Sequence, residues 1–399
     1  MSRYDIIIIG AGISGLSLAH YCTREGLRTL VIEKSARVGG TIHSHCFEDT
    51  GDFWVELGAH TCYNSYRSLL GVMQECMGLE RLIQREKVPF TMLMDNHVKS
   101  IPSQLNFLEL FFSVPNIFSQ KKEGQSVGSY YSKLVGRKNF ERVLGPAMNA
   151  VISQQADDFP ADMLFKKRSR RKDVIKKFTL PEGLQAITDS ISAEINMEII
   201  KGKEVLGVEV GDNLFQVSVD GAVYESTNLA LATPVSVTAR LLQASFPAAA
   251  QTVAQIKVEK VESMGVAVTK EKLSLPPVAG LIPVSDSFYS AVSRDTVRHD
   301  QYRGFTFHFK PDLLDREAKL KRIAEALCLD QGELARVVEK ENCVPALRVG
   351  HDAVIQSIGQ ALSGKRLLLA GNYFDGMALE DCVARSSSEF RRLMELGKT

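Results

Sequence analysis

The first forty residues constrain this chain more than any other stretch. Tyr4-Asp5-Ile6-Ile7-Ile8-Ile9 is a short, mostly apolar run, and Gly10-Ala11-Gly12-Ile13-Ser14-Gly15 follows at once. A helical pattern runs from Leu16 to about Arg24, and Arg28-Thr29-Leu30-Val31-Ile32-Glu33 is a second apolar run ending in an acid. Strand, glycine turn, helix and strand make a βαβ unit with a dinucleotide fingerprint in its proper context. Gly10 permits the tight turn, Gly12 lets backbone approach a pyrophosphate, and Gly15 lets the helix lie close to the strand. The N–H groups opening the helix, Ile13 and Ser14 among them, face the phosphates with the positive end of the helix dipole. Glu33 stands where a carboxylate accepts from ribose hydroxyls, and it would repel a 2′-phosphate, which argues against NADP at this site.

A chain of 399 residues has room for two domains. Its formal net charge of +1 supplies no field that would draw it to nucleic acid. The seven cysteines are scattered without a CxxC pair, which fits a reduced, cytoplasmic protein. The N-terminal apolar run reads as the first strand rather than a signal peptide. No uncharged apolar run reaches about 18 residues, so no spanning helix is expected. His43-Ser44-His45-Cys46 has metal-binding residue types, but its alternation reads as a strand, and no metal site is expected.

Helices are expected over 65–82, 126–134, 138–148, 158–165, 186–195, 315–328 and 331–338. Strands are expected over 89–94 and 97–102 as a hairpin, then 203–210, 215–219, 229–234, 258–269 and 304–309, with turns at Gly211-Asp212 and Asp220-Gly221. Leu105 to Phe118 is crowded with large apolar residues and followed by Lys121-Lys122. It reads as a helix covering a substrate cavity, or as an amphipathic segment resting on a membrane surface; Pro115 interrupts it. The basic cluster from Lys166 to Lys177 reads as a solvated face, or as a contact for anionic lipid or an acidic partner.

Beyond Glu33, the stretch Lys34-Ser35-Ala36-Arg37-Val38-Gly39-Gly40-Thr41 completes an E-x-x-x-R-x-G-G pattern. It resembles the flavin amine oxidase and protoporphyrinogen oxidase superfamily. A second glycine pair permits close backbone approach to an extended cofactor, and Arg37 can offset phosphate charge. Other matches follow. Glu56-Leu57-Gly58-Ala59-His60 resembles the segment that passes the flavin ring, which leaves His60 either facing the ring or serving as an ordinary satisfied histidine. Phe178-Thr179-Leu180-Pro181-Glu182-Gly183-Leu184 is similar to the F-x-L-x-G-G-L segment that returns the chain to the cofactor domain, with Glu182 replacing a glycine. Val205 matches the residue whose backbone reads the adenine, and Thr233-Pro234 ends a strand near the cofactor. Ala370-Gly371-Asn372, then Gly376-Met377-Ala378-Leu379-Glu380-Asp381-Cys382, matches the closing motif of the protoporphyrinogen oxidase branch.

The resemblance implies an α/β fold. A discontinuous Rossmann-like FAD domain (1–84, 178–250 and 340–399) is interleaved with an α+β substrate domain (85–177 and 251–339). It further implies noncovalent FAD, a small-molecule substrate, and removal of hydride from a reduced ring or a C–N bond. A flavin amine oxidase, an FAD-dependent desaturase, a non-redox flavoprotein of the sugar-mutase type and a flavin-binding protein without turnover share the same cofactor domain. The arginine that clamps a substrate propionate in some members falls at Met94. The catalytic side chains, the acceptor (oxygen or quinone) and the oligomeric state are not fixed by these motifs.

Overall fold

The computed structural model describes residues 3–211, 214–334 and 336–397. The expected turn at Gly211-Asp212 lies partly outside them. Two seven-stranded sheets organise the chain. In the first, Met197–Lys201, Thr29–Glu33, Arg3–Ile9 and Ala222–Leu231 run parallel in that order, and Leu367–Leu369 pairs parallel to the end of Ala222–Leu231. Phe215–Val219 and Val205–Val210 extend it as an antiparallel hairpin. The parallel strands Ile6–Ile9, Leu30–Ile32 and Leu229–Leu231 are apolar throughout because helices cover both faces.

The second sheet runs Arg336–Pro345, Val258–Thr269, Tyr302–Phe309, Phe288–Ser293, Gly280–Pro283, Phe90–Met94, His97–Ser100. One face carries Met264, Val266, Val268, Phe305, Phe307 and Phe309 against the helix Arg316–Leu327. The other meets the hairpin Ser44–Cys46/Trp54–Glu56. Glycines make that seam possible: a Cβ on Gly265 would lie 2.7 Å from Leu57 Cδ2, and one on Gly304 would lie 2.6 Å from Val55 Cγ1.

Several expected elements differ. The segment 158–165 forms only a short 3₁₀ turn, Ala161–Met163, held by buried Phe159 and Leu164. Residues Gln331–Glu333 make one turn, and a strand begins at Arg336, where β-branched Val337 and Val338 pair with Val266 and Gly265. The boundary expected at 339/340 therefore falls inside a strand. The helix expected to Leu82 stops at Cys76, ahead of Gly78 at φ +76°. The helix after Lys138 passes through a π turn, Phe140–Leu144, before Pro146. The strands Met197–Lys201, Gly280–Pro283 and Phe288–Ser293 were not anticipated.

The favoured expectation for Leu105–Phe118 is also corrected. Phe107–Ser113 is helical and Val114–Phe118 is 3₁₀, but Phe107, Leu108, Phe111, Phe112, Ile117 and Phe118 face solvent rather than the interior. Phe111, Phe112 and Phe118 are 71%, 77% and 89% exposed.

One buried acid fastens the chain's return to the first sheet. Glu56 accepts from Leu184 N–H at 2.8 Å and from Ser44 Oγ–H at 2.8 Å, while Gln185 N–H donates to Ser44 Oγ at 3.0 Å. Gly183 at φ +83° is required there, since a Cβ would sit 2.3 Å from Ser44 Oγ. Burial pushes the Glu56 carboxyl up from 4.5 to about 7, against the pull of its hydrogen bonds. A folded pKa above the unfolded one favours the native state at low pH, and that contribution disappears as pH rises through the folded value. Gln can accept from Leu184 N–H and donate to Ser44 Oγ, so E56Q should fold. Denaturant unfolding should show wild type losing stability relative to E56Q, on the order of 3 kcal/mol, between pH 4.5 and 7. Parallel pH profiles would show that Glu56 does not titrate in this window.

Candidate functional site

The two glycine turns lock together at the carboxyl ends of the parallel strands. Gly15 lies so close to the first strand's end that a Cβ would be 1.9 Å from Gly10 O, and Gly39 N–H donates to Ala11 O at 2.8 Å. Gly40, at φ +57°, faces Gly12 Cα at 3.3 Å from where its Cβ would be. Gly12 is different: an added Cβ meets nothing within 4 Å. It is the N-cap of the helix Ile13–Arg24, which has no side-chain cap and no acid in its first turn. The N–H groups at Ile13 and Ser14 therefore begin an uncapped helix beside an open cradle, as a phosphate site requires. Glu33 closes one side, accepting from Ala11 N–H at 2.7 Å and Ser35 N–H at 2.8 Å. The donors and the cradle fit the pyrophosphate and ribose of a dinucleotide.

Other expected cofactor residues gather around this turn. Ala232 O lies 2.5 Å from a Cβ built on Gly10, and Thr233 adjoins it, with its hydroxyl 2.8 Å from that of Thr238. Val205 is buried at the start of its strand, near Glu33, whose carbonyl accepts from Lys203 N–H. Gly58 touches the second glycine turn, since its Cβ would fall 2.0 Å from Thr41 O; Ala59 beside it is half-buried. Gly371 follows the strand Leu367–Leu369, with half-buried Asn372 next to it. Met377 Sδ contacts Gln154 at 3.9 Å, Ala378 caps the helix Leu379–Leu396, and Leu379 is buried.

Three groups near the turns are engaged within the protein itself. Arg37 donates to the carbonyls of Val38, Gly40 and Ile42 and to Gln185 Oε1, so it pins the second glycine turn. Lys34 is exposed and pairs with Glu204 at 3.1 Å. The helix Leu379–Leu396 carries its own acids in the first turn: Glu380 accepts from Ser68 and Leu69 N–H, and Asp381 pairs with Arg168 at 2.6 Å. Its N-terminal field is thus partly neutralised from within, and Arg168 of the basic cluster belongs to this junction rather than to a free face.

The second sheet contributes residues that motif reading missed. Lys340 Nζ donates to Gly40 O at 2.9 Å and Thr41 O at 3.3 Å, and burial beside Arg37 lowers its pKa to about 7. Asn342 donates to Leu57 O at 2.8 Å and to Ser263 Oγ at 3.0 Å, and Ser263 Oγ lies 2.9 Å from His308 Nδ1. Burial holds His308 down to about 4, so it is a neutral partner in this chain. His308 alone carries a sequence signal, a polar residue between Phe307 and Phe309; Lys340 and Asn342 lie in the polar run Glu339-Lys340-Glu341-Asn342 and do not stand out.

Between the sheets lies a cavity lined by Glu56, His60, Arg85, Thr179, Arg294 and Thr306, among others. His60 is held near pKa 3 by burial and then by Arg85, and its Nδ1 is 3.0 Å from Thr61 Oγ1. Arg85 is 8% exposed; its Nε donates to Thr296 Oγ1 at 3.0 Å, and no carboxylate lies in salt-bridge range among the described residues. Arg294 stacks over Trp54 at 4.2 Å, with its Nε buried and unpaired. Thr179 Oγ1 is also buried and unpaired. The cavity thus holds two guanidinium groups, a neutral imidazole and one carboxyl already engaged by Ser44 and Leu184.

Comparison with known proteins agrees with this architecture. Residues 8–76 match the model of the NAD(P)-binding Rossmann-like domain. A pseudooxynicotine dehydrogenase of Pseudomonas sp. is 22% identical over 269 residues, 58% of this chain and 52% of that protein. The chain thus spans about half the length of that relative. Among solved structures, one described as a candidate protoporphyrinogen oxidase from Exiguobacterium sp. 255-15 superposes with TM-score 0.81 at 18% identity, covering 99% of both chains. Reduced UDP-galactopyranose mutase gives 0.75 at 14% identity, covering 98% of this chain and 96% of that one. Putrescine oxidase bound to putrescine gives 0.70 at 14% identity, covering 99% of each. The likeness to the amine oxidase and protoporphyrinogen oxidase group, first visible in the glycine motifs, is thus a likeness of fold along the whole chain.

Proposed function

We propose that this protein is an FAD-dependent oxidoreductase that removes a hydride from a small, anionic substrate, a reduced ring or a C–N compound of the protoporphyrinogen-oxidase type. Residues 1–84, 178–250 and 340–399 form the FAD domain, and 85–177 with 251–339 form the substrate domain. Gly10, Gly12, Ile13, Ser14, Gly15 and Glu33 would hold the nucleotide half. Gly39, Gly40, Gly58, Ala59 and the 371–379 segment would border the ring half. When bound, FAD supplies a two-electron acceptor for the substrate's hydride. The narrow cavity between the sheets, about 20 Å³, would take one polar group of the substrate, and the packed hairpin at Val55 and Leu57 keeps water out.

The observation that selects the substrate class is the Arg85 fork without a carboxylate partner. A buried guanidinium left uncompensated is costly, and a substrate carboxylate satisfies it bidentately. A cationic amine entering the same cavity would meet like charge, which sets the amine-oxidase reading second. Met94, where some relatives carry a clamping arginine, is half-buried and cannot serve; Arg85 and Arg294 take up that task from elsewhere.

The exposed Phe107–Phe118 surface also belongs to this reading, as a peripheral anchor on anionic lipid. Lys99, Lys121, Lys122, Lys133, Arg137, Lys138 and Arg142 are interspersed with only Glu109, Glu123 and Glu141 over the same stretch. Glu109 is engaged by the N–H groups of Lys138 and Asn139 at 3.0 Å, and Glu141 by Arg137. Large aromatic side chains flanked by lysine favour the bilayer interface.

Three results are expected. G12V, whose side chain enters open space, should unfold at the midpoint of flavin-free wild type yet lose FAD on gel filtration, with affinity reduced at least about 100-fold; wild-type retention would remove the cofactor assignment. R85M should raise KM for carboxylated substrates by roughly 10- to 100-fold, a loss of about 1.5–3 kcal/mol, in turnover assays with porphyrinogens and an amine panel; an unchanged KM, or better turnover of amines by wild type, would favour the amine reading. F111E/F118E should abolish flotation with phosphatidylglycerol vesicles while leaving the protein folded. A concentration-dependent dimer that this variant dissolves, with no vesicle binding by wild type, would assign the surface to a second copy instead.

A further inference from the structure

A second polar centre lies away from the glycine turns, where three helices meet. His20 sits on the helix Ile13–Arg24 among buried Leu16, Leu18, Ala19 and Cys22, and is itself 1% exposed. Cys76 is the last residue of the helix Arg67–Cys76, and Glu194 lies just beyond the helix Gln185–Ser192. His20 Nδ1 is 2.7 Å from Glu194 Oε1, Cys76 Sγ is 3.0 Å from the same oxygen, and Sγ and Nδ1 are 3.5 Å apart. The other ring nitrogen, His20 Nε2, lies 3.3 Å from Glu75 Oε2.

We infer that His20, Cys76 and Glu194 form a metal site for a divalent transition cation, Zn²⁺ by its donor set. Imidazole, thiolate and carboxylate suit zinc, whereas magnesium and calcium select oxygen. Zinc arms of about 2.1 Å to nitrogen or oxygen and 2.3 Å to sulfur place tetrahedral ligands roughly 3.4–3.6 Å apart. The nitrogen–sulfur edge, at 3.5 Å, already has that length. Glu194 must withdraw by roughly 0.6 Å to admit the ion. Its side chain is 20% exposed and sits beyond the helix end, so that movement is open to it. Solvent completes the fourth position.

Glu75 is the positioning residue. With the metal bound and the Nδ1 proton gone, Glu75 accepts from Nε2–H and so holds the tautomer that presents Nδ1 to the metal, the arrangement that accompanies most ligating histidines. Binding replaces the S–H bond of Cys76 with a sulfur–metal bond and displaces the proton shared by His20 Nδ1 and Glu194 Oε1 as the nitrogen–metal bond forms, and both protons leave to solvent. No electron is transferred. The site clips the fingerprint helix to two neighbours on the first sheet, independently of whether flavin is bound.

The test uses the full chain, stripped with chelator and titrated with Co²⁺ as a spectroscopic probe and Zn²⁺ as competitor. One equivalent of Co²⁺ should bring thiolate-to-cobalt charge transfer and tetrahedral ligand-field bands at longer wavelength than flavin absorption, and Zn²⁺ should displace them. C76S, which can keep the hydrogen bond to Glu194, should remove the charge-transfer band while circular dichroism stays native. E75Q should weaken metal binding roughly 10- to 100-fold without removing that band. Folded wild-type protein with no Co²⁺ bands, or bands that persist in C76S, would overturn the site. Neither result bears on flavin retention, so the two assignments stand or fall separately.

Discussion

The contact on which this structure depends is the approach of a helix to a strand across two glycines. With a Cβ at Gly15 falling 1.9 Å from Gly10 O, no other residue fits without parting the helix from the sheet. That closeness aims the first-turn N–H groups beyond the strand ends instead of over them. The second turn then docks on the first through Gly39 N–H and Ala11 O, and Gly40 lies against Gly12. Of the glycines in these two turns, Gly12 alone faces open space. The difference separates function from fold: Gly15 and Gly40 make room for the protein itself, whereas Gly12 makes room for something else.

The charged groups follow the same division. Arg37 looks from sequence like a phosphate ligand, yet its donors end on Val38, Gly40, Ile42 and Gln185. An arginine with three acceptors in its own loop and a fourth on the helix Gln185–Ser192 is a brace. Arg85 resembles nothing in a motif, yet its fork faces a cavity with a single hydroxyl partner at Nε. Satisfied guanidinium groups hold structure, and buried unsatisfied ones wait for a ligand. Glu56 shows the same rule for an acid: with Ser44 and Leu184 as donors its carboxyl is a fastener, and it is not free to neutralise Arg85 and Arg294 together.

How much of this was legible in the sequence depended on distance along the chain. The opening βαβ unit, the Asp95-Asn96 hairpin and the closing strand and helix are local patterns, and each is present in the structure. The strands Gly280–Pro283 and Phe288–Ser293 are buried on both faces, so they lack the alternation that marks a half-exposed strand. Gln331–Val338 reads as a helix by composition, but pairing with Val258–Thr269 outweighs propensity there. The site residues Arg85, Arg294, Lys340, Asn342 and His308 come from separated strands and loops and meet only through tertiary packing, so no spacing rule could find them. Likewise, the Phe107–Phe118 segment is equally apolar whether it faces a cavity or solvent, and only the fold decides which.

The seam between the sheets joins these observations. Gly265 and Gly304 let Val55 and Leu57 sink into the second sheet. The same surface sends Lys340 to the carbonyls of Gly40 and Thr41, and Asn342 to the carbonyl of Leu57. The second glycine turn is therefore gripped from both sides, by Arg37 within its own loop and by Lys340 across the seam. Backbone carbonyls held by side-chain donors resist drift when a ligand enters the cavity, and Ser263 and His308 brace Asn342 in turn. A substrate that pairs with Arg85, as proposed, would dock against a wall whose opposite side defines the glycine turns. Its distance from them is set by covalent strands and buried hydrogen bonds rather than by loops free to move.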